Sequence, residues 1–161
     1  MPADYADFTS SRQKALQQYD AAFHLLNVTF PLVKDSKLLM GVASNVMQSL
    51  EHCMDSVLAY DRQFNLIPEF QNNFQSKFNL FRYRSAKRYN IPIELLIFMM
   101  DLHELLELHK KCPTEFQRGN RYILASKDFR MKVLSINDFR RYLDKNKEFI
   151  QVVDRILKVK G

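Results

Sequence analysis

The chain has 161 residues, 47% hydrophobic and 26% charged, with only 3 Gly and 5 Pro. That balance suits one globular domain with its own core and excludes a low-complexity or collagen-like chain. The formal net charge is +6 and belongs to the second half: residues 1–80 carry 6 Lys+Arg against 8 Asp+Glu, residues 81–161 carry 18 against 10.

Cys53 and Cys112 are the only cysteines and form no CxxC pair, so neither a disulfide framework nor a Cys-rich zinc site is expected. The opening MPADYADFTS is acidic where a signal peptide would be basic, which points to an intracellular, cytoplasmic protein. The longest apolar run, Leu95 to Met100, falls far short of the roughly 18 residues a membrane span needs, so no membrane partner is expected.

In chain order, residues 9–29 read as a first helix, with Ala15, Tyr19, Ala22 or Phe23, and Leu26 at helical spacing and Pro31 marking its exit. The longest helix follows over about residues 36–61. Leu39, Val42, Val46, Leu50, Cys53 and Val57 form its apolar stripe, and Asn45, Ser49, His52 and Ser56 its polar face. A third helix over about residues 70–89 sets Phe70, Phe74, Phe78 and Phe81 or Arg82 along one side, most simply as core. The fourth begins near Pro92, a residue suited to a first helical position, is apolar almost all round from Ile93 to Met100, and stops by Pro113. It is therefore expected to be the most buried element. Runs at 121–125 and 129–134, separated by Ser126, Lys127 and Asp128, suggest a short β-hairpin. Ser135 can cap a fifth helix from Ile136 to the end, with Asp138 three positions on as an imperfect capping box. The fold class expected is thus mainly α: a single helical-bundle domain, residues 1–161, of about five helices, with a short β-hairpin before the last.

Tests for chemistry return little. His103-Glu104-Leu105-Leu106-Glu107 begins like a zinc-protease helix but has Glu where the second His belongs. His103 and Glu107 at i, i+4 supply two ligands where a metal needs three or four. No Glu-x-x-His occurs, which removes the di-iron bundle reading. Three glycines cannot build a phosphate-cradling loop. No metal or cofactor is expected. Among nucleophiles, Cys53 lies on an apolar stripe, whereas Cys112 follows Lys110 and Lys111 near His109, cations that lower a thiol pKa against the opposing pull of a helix C-terminus. His109 and Cys112 are the only catalytic candidates, and catalysis is not the expected function.

The basic charge is densest over residues 109–132, where Lys110, Lys111, Arg118, Arg121, Lys127, Arg130 and Lys132 meet only Glu115 and Asp128. Such a segment attracts a polyanion or an acidic protein patch. Tyr83, Tyr89 and Tyr122 lie among basic residues, as aromatic rings that stack on unpaired bases do. Whether residues 81–90, FRYRSAKRYN, join the same face is a tertiary matter, although Arg84, Lys87 and Arg88 share a helix side by spacing.

A helical hairpin, a long second helix, two further helices and a closing amphipathic helix together resemble the HEPN superfamily of small nucleic-acid-associated bundles. LLNVTFPLVKDSKLLMGVASNV at 25–46, FQNNFQSKFNLF at 70–81 and HKKCPTEF at 109–116 resemble an uncharacterised, mainly archaeal group of HEPN-like proteins. The resemblance implies a homodimer, through helices two and four, and a ribonuclease motif of Arg followed by His after four to six residues. No Arg lies five to seven positions before His24, His52, His103 or His109, so that motif is missing. The function expected is a non-catalytic module that binds RNA through Lys110, Lys111, Arg118, Arg121, Arg130, Lys132 and Tyr122. The alternatives are a protein-interaction or dimerisation module, using the Asn45–Ser49–His52–Ser56 stripe, and a degenerate ribonuclease using His109.

Overall fold

The helical periodicity of the chain produces five helices in the computed structural model, which describes residues 7–112, 114–125 and 130–158. Pro113 and the 126–129 connection, where a helix stop and a hairpin turn were expected, lie outside the described residues. Helix α1 (Asp7–His24) does not leave at Pro31 but widens into a π turn, Leu25–Thr29, and makes one more α turn, Phe30–Val33. In that turn the Phe30 N–H reaches the Leu25 carbonyl, and the Asn27 side chain donates to the Phe23 carbonyl at 3.0 Å. Pro31 falls in the first turn after the π segment, where a missing N–H is tolerated as at any helix start. The chain leaves at Lys34, which takes a left-handed φ of 57°.

Helix α2 (Lys37–Gln63) is the centre of the domain, packed against α1, α4 and α5. Its stripe Leu39, Val42, Val46, Leu50, Cys53 and Val57 is buried as its spacing predicts. The face read as polar surface is not surface. Ser49 and Ser56 are fully buried against α1, where their hydroxyls donate to the carbonyls of Ala15 and Phe8, each at 2.7 Å. Serine is small enough to let two helix backbones close up and polar enough to bond the neighbour's carbonyl. Gly41 serves the same closeness, since a Cβ there would stand 3.0 Å from Leu25 of the π turn.

Helix α3 (Phe74–Leu80) starts later than expected, at Asn73, whose side chain accepts from the Ser76 N–H at 2.9 Å. It too carries a π turn, Phe81–Ser85, before a last turn, Ala86–Arg88. Phe78 and Phe81 enter the core, with Phe70 and Phe74 packed against it. Helix α4 (Ile93–Lys111) buries Leu95, Leu96, Met99, Leu102 and Leu105 but leaves Ile93 and Ile97 exposed. It is therefore not the most enclosed element; that is α2, where only Lys37, Gln48 and Gln63 are exposed.

The expected hairpin is a three-stranded antiparallel sheet in the order β1 (Thr114–Arg118), β2 (Arg121–Ala125), β3 (Met131–Ser135). Gly119 turns β1 into β2 with a φ of 62°, open to glycine at no steric cost. Tyr122, Leu124 and Leu134 point from one face of the sheet into the helical core. Helix α5 (Ile136–Leu157) opens on a complete capping box: the Ser135 hydroxyl accepts from the Asp138 N–H, and the Asp138 carboxylate accepts from the Ser135 N–H at 2.8 Å. Among the described residues no helix is long and apolar enough to cross a membrane.

Candidate nucleic-acid interface

Strand alternation sorts the basic segment onto two faces, because cross-strand partners project to the same side. Arg118 pairs with Arg121 across the β1–β2 turn; Phe116, Ile123 and Val133 form the next row on that face, and Met131 lies beyond. This is the outer face of the sheet. Phe116 is 43% and Val133 44% exposed, while Ile123, flanked by both, is covered yet takes no part in the helical core. The two arginines stand exposed at the turn end of this apolar row, with no ion pair among the described residues.

The inner face carries Glu115, Gln117, Tyr122, Leu124, Lys132 and Leu134. Tyr122 is 2% exposed and its hydroxyl donates to Glu115 Oε2 at 2.8 Å, so its ring has no face to offer a base. Burial, and then the Glu115 hydrogen bond, hold its phenol protonated well above the ordinary range. The expectation that Tyr122 stacks on RNA is therefore corrected: the β2 alternation sends it inward. Lys132 pairs with Leu124 on this inner side, away from the two arginines. Arg130 is exposed just ahead of β3. Lys110 and Lys111 are exposed at the end of α4, with Lys110 held to Glu107 at 3.2 Å. Arg118 and Arg121 form a pair; the remaining candidates are distributed around them rather than gathered on one face.

His109 and Cys112 sit between α4 and the sheet. His109 Nε2 bonds the same Glu115 oxygen at 2.7 Å, which fastens the helix end to β1. Burial and the Glu115 charge push the Cys112 thiol pKa up, not down. The expected lowering by Lys110 and Lys111 is outweighed, and the protonated, poorly nucleophilic form is favoured. His103 is stacked on Phe74, ring centroids 3.9 Å apart and nearly parallel, and Glu107 is bonded to Lys110. Among the described residues no group of three or more His, Cys, Asp or Glu side chains converges to hold a metal.

Residues 81–90 form a separate place. Tyr83 is 55% exposed, with Arg82 at 5.3 Å and Lys87 at 5.8 Å from its ring centre, beside the exposed Ile93 at the start of α4. The sheet begins beyond the other end of that helix, which at 1.5 Å per residue is about 27 Å away. Exposed Asp101 and Glu104 lie along α4 between the two places. Arg88 does not share Lys87's surroundings: it bonds Asp61 at 3.2 Å and the Leu66 carbonyl at 3.0 Å. Tyr89 gives its hydroxyl to Asp61 and lines a different cleft, so of the three tyrosines only Tyr83 is more than half exposed.

Phe116 was missed in the sequence. Thr-Glu-Phe-Gln-Arg is too polar to announce a strand, yet its period-two pattern, placed before Gly119-Asn120, sets Phe116 and Arg118 on one side. No model of a known protein family matches the chain, and neither a curated protein nor a solved structure matches it.

Proposed function

We propose that the protein is a non-catalytic module, HEPN-like in its order of helices, that binds single-stranded RNA on the outer face of its sheet. The observation that carries this reading is the juxtaposition of the Arg118–Arg121 pair with the exposed Phe116 ring on one face. Two guanidiniums beside an aromatic platform meet the two needs of an unpaired strand: phosphate neutralisation and base stacking. Lys111 and Arg130 add to the field that draws a polyanion in. Phosphate neutralisation and stacking give affinity without reading base edges, so the binding is to the strand and not to a sequence.

Fluorescence anisotropy of a labelled oligouridine across a salt series tests the reading, with RNA integrity checked on a gel. Arg118→Gln with Arg121→Gln should flatten the logarithmic salt slope by about one to two units, since each phosphate contact to a single strand contributes about 0.7. Phe116→Ala should weaken binding by about 1–3 kcal/mol at every salt concentration and leave the slope unchanged. Absence of binding at low salt, or the same slope in the double variant, would overturn it. Cleavage lost in His109→Ala would replace it with the degenerate-ribonuclease reading.

The same face supports a second reading through its apolar row. Phe116, Ile123 and Val133 with Met131 form a strip suited to pack on the sheet of a second copy. A dimer through helices two and four is disfavoured by the enclosure of α2. Sedimentation equilibrium of wild type against Val133→Lys separates the two readings: a monomer in both leaves the RNA reading alone.

A further inference from the structure

A second site lies on the opposite side of the bundle, where the ends of α2, α3 and α5 meet. Tyr60, Phe64 and Tyr89 supply aromatic walls, Leu66, Val152 and Ile156 add aliphatic ones, and the cleft encloses about 610 Å³. That volume falls within the roughly 300–1,000 Å³ of small-molecule sites. Every charged side chain lining it is cationic: Arg88, Arg155 and Lys158, with no acidic residue among the described lining.

The site is held in place from below by a buried carboxylate. Asp61, wholly enclosed, accepts from Ser85 at 2.5 Å, from Arg88 at 3.2 Å and from the Tyr89 hydroxyl. A buried carboxylate is tolerated only with such a full complement of donors. The effect is to lock two lining groups, the Tyr89 ring and the Arg88 guanidinium, before anything binds. The π turn Phe81–Ser85 is what brings Ser85 to Asp61, and π turns of this kind often mark functional sites. Tyr60 is fixed by edge contact with Phe8 at 5.6 Å and leans on Phe64 at 4.9 Å. Arg88 spends two of its five N–H donors on Asp61 and Leu66, which leaves three. Arg155 and Lys158 stand at the end of α5 with no ion pair among the described residues. They offset the negative end of the helix dipole, so an anion there is drawn by the side chains and not by the helix.

We propose that this cleft binds a small organic anion: a planar aromatic body against the Tyr60, Phe64 and Tyr89 rings, with a phosphate or carboxylate head at Arg155 and Lys158. The body accounts for three aromatic walls in a cleft open to water, and the head for cations without acids. The site is independent of the sheet.

Isothermal titration of the full chain with 1-naphthyl phosphate and with 1-naphthoate tests it, against inorganic phosphate and neutral 1-naphthol. Saturable one-to-one binding of at least one naphthyl anion is expected, and the tighter of the two names the head group. Arg155→Gln with Lys158→Gln, at exposed positions that leave the core intact, should weaken it about 10- to 100-fold, the value of one or two charge-assisted hydrogen bonds. Phe64→Ala should weaken it several-fold without affecting the response to inorganic phosphate. The proposal is overturned if neither anion saturates by about 5 mM, a weakness beyond that of a built site. Inorganic phosphate or 1-naphthol binding as tightly as the anions, or an unchanged double variant, would overturn it equally.

Discussion

The interior of the bundle and the outer face of the sheet use polar and apolar residues in opposite ways. Inside the bundle, Ser49, Ser56, Asp61 and Asn146 are wholly enclosed and bonded to neighbouring elements. On the sheet, Phe116, Val133 and Met131 are turned to solvent beside two arginines. Polarity in the bundle is therefore adhesive, and apolarity on the sheet is available for binding. A substitution in the first place should be read as stability and one in the second as affinity.

The largest effect expected is at Asp61. Asp61→Ala removes the common acceptor of Ser85, Arg88 and Tyr89 and breaks the ion pair with the exposed Arg88. A buried donor left without its acceptor costs about 1–3 kcal/mol, and Ser85 and Tyr89 both lose theirs, so urea unfolding should lose about 2–5 kcal/mol. A loss under 1 kcal/mol would show that the network is not adhesive, and the contrast with the sheet would fail.

Ser49→Ala comes next. The Ser49 hydroxyl donates to the Ala15 carbonyl and accepts from Asn146 Nδ2 at 2.9 Å, so one side chain joins α1, α2 and α5. Asn146 Oδ1 is buried and already has no partner among the described residues. The substitution would strip its amide nitrogen as well, at about 1–3 kcal/mol for a buried donor left unmade. Against these, Arg118→Gln with Arg121→Gln should shift stability by no more than about 0.5 kcal/mol, as surface changes do, while altering RNA affinity. Equal losses in stability and binding would erase the distinction between the two regions.

The contrast explains what the sequence discloses. The stripes of α1, α2 and α5 are legible because helical spacing reports burial, and the Ser135–Asp138 box because its chemistry is local. Ser49 and Ser56 mislead because a serine facing a helix backbone has the same composition as one facing water. The π turns at Leu25–Thr29 and Phe81–Ser85 insert a residue into the period without a marker, and they decide where Asn27, Ser85 and Arg88 point. On the sheet, Tyr122 and Leu124 alternate with Arg121 and Ile123, and that pattern carries the facing of each residue once β1 is known. The polar β1 is the strand that local propensity cannot reveal, and with it Phe116.

The smallest effect expected concerns His52, on the α2 face first read as surface. Burial lowers its pKa below the ordinary 6.5, aided by Lys14 and Lys77 and opposed by Asp55. A depressed histidine means that the unfolded chain binds the proton more readily than the folded one. Its contribution is thus fully present above about pH 6.5 and lost as pH falls through the folded value. Glu51, the preceding residue, acts in the other direction: burial, then Asp55, raise its pKa above 4.5, so acid favours its folded form. The two cancel in part, and a bare pH profile of the wild type would not separate them. The difference in unfolding free energy between wild type and His52→Gln removes the Glu51 contribution common to both. That difference should turn against the wild type between about pH 6.5 and 5 and stay flat from pH 7 to 8. A flat difference across the whole range would place His52 in water and restore part of the polar face to the surface.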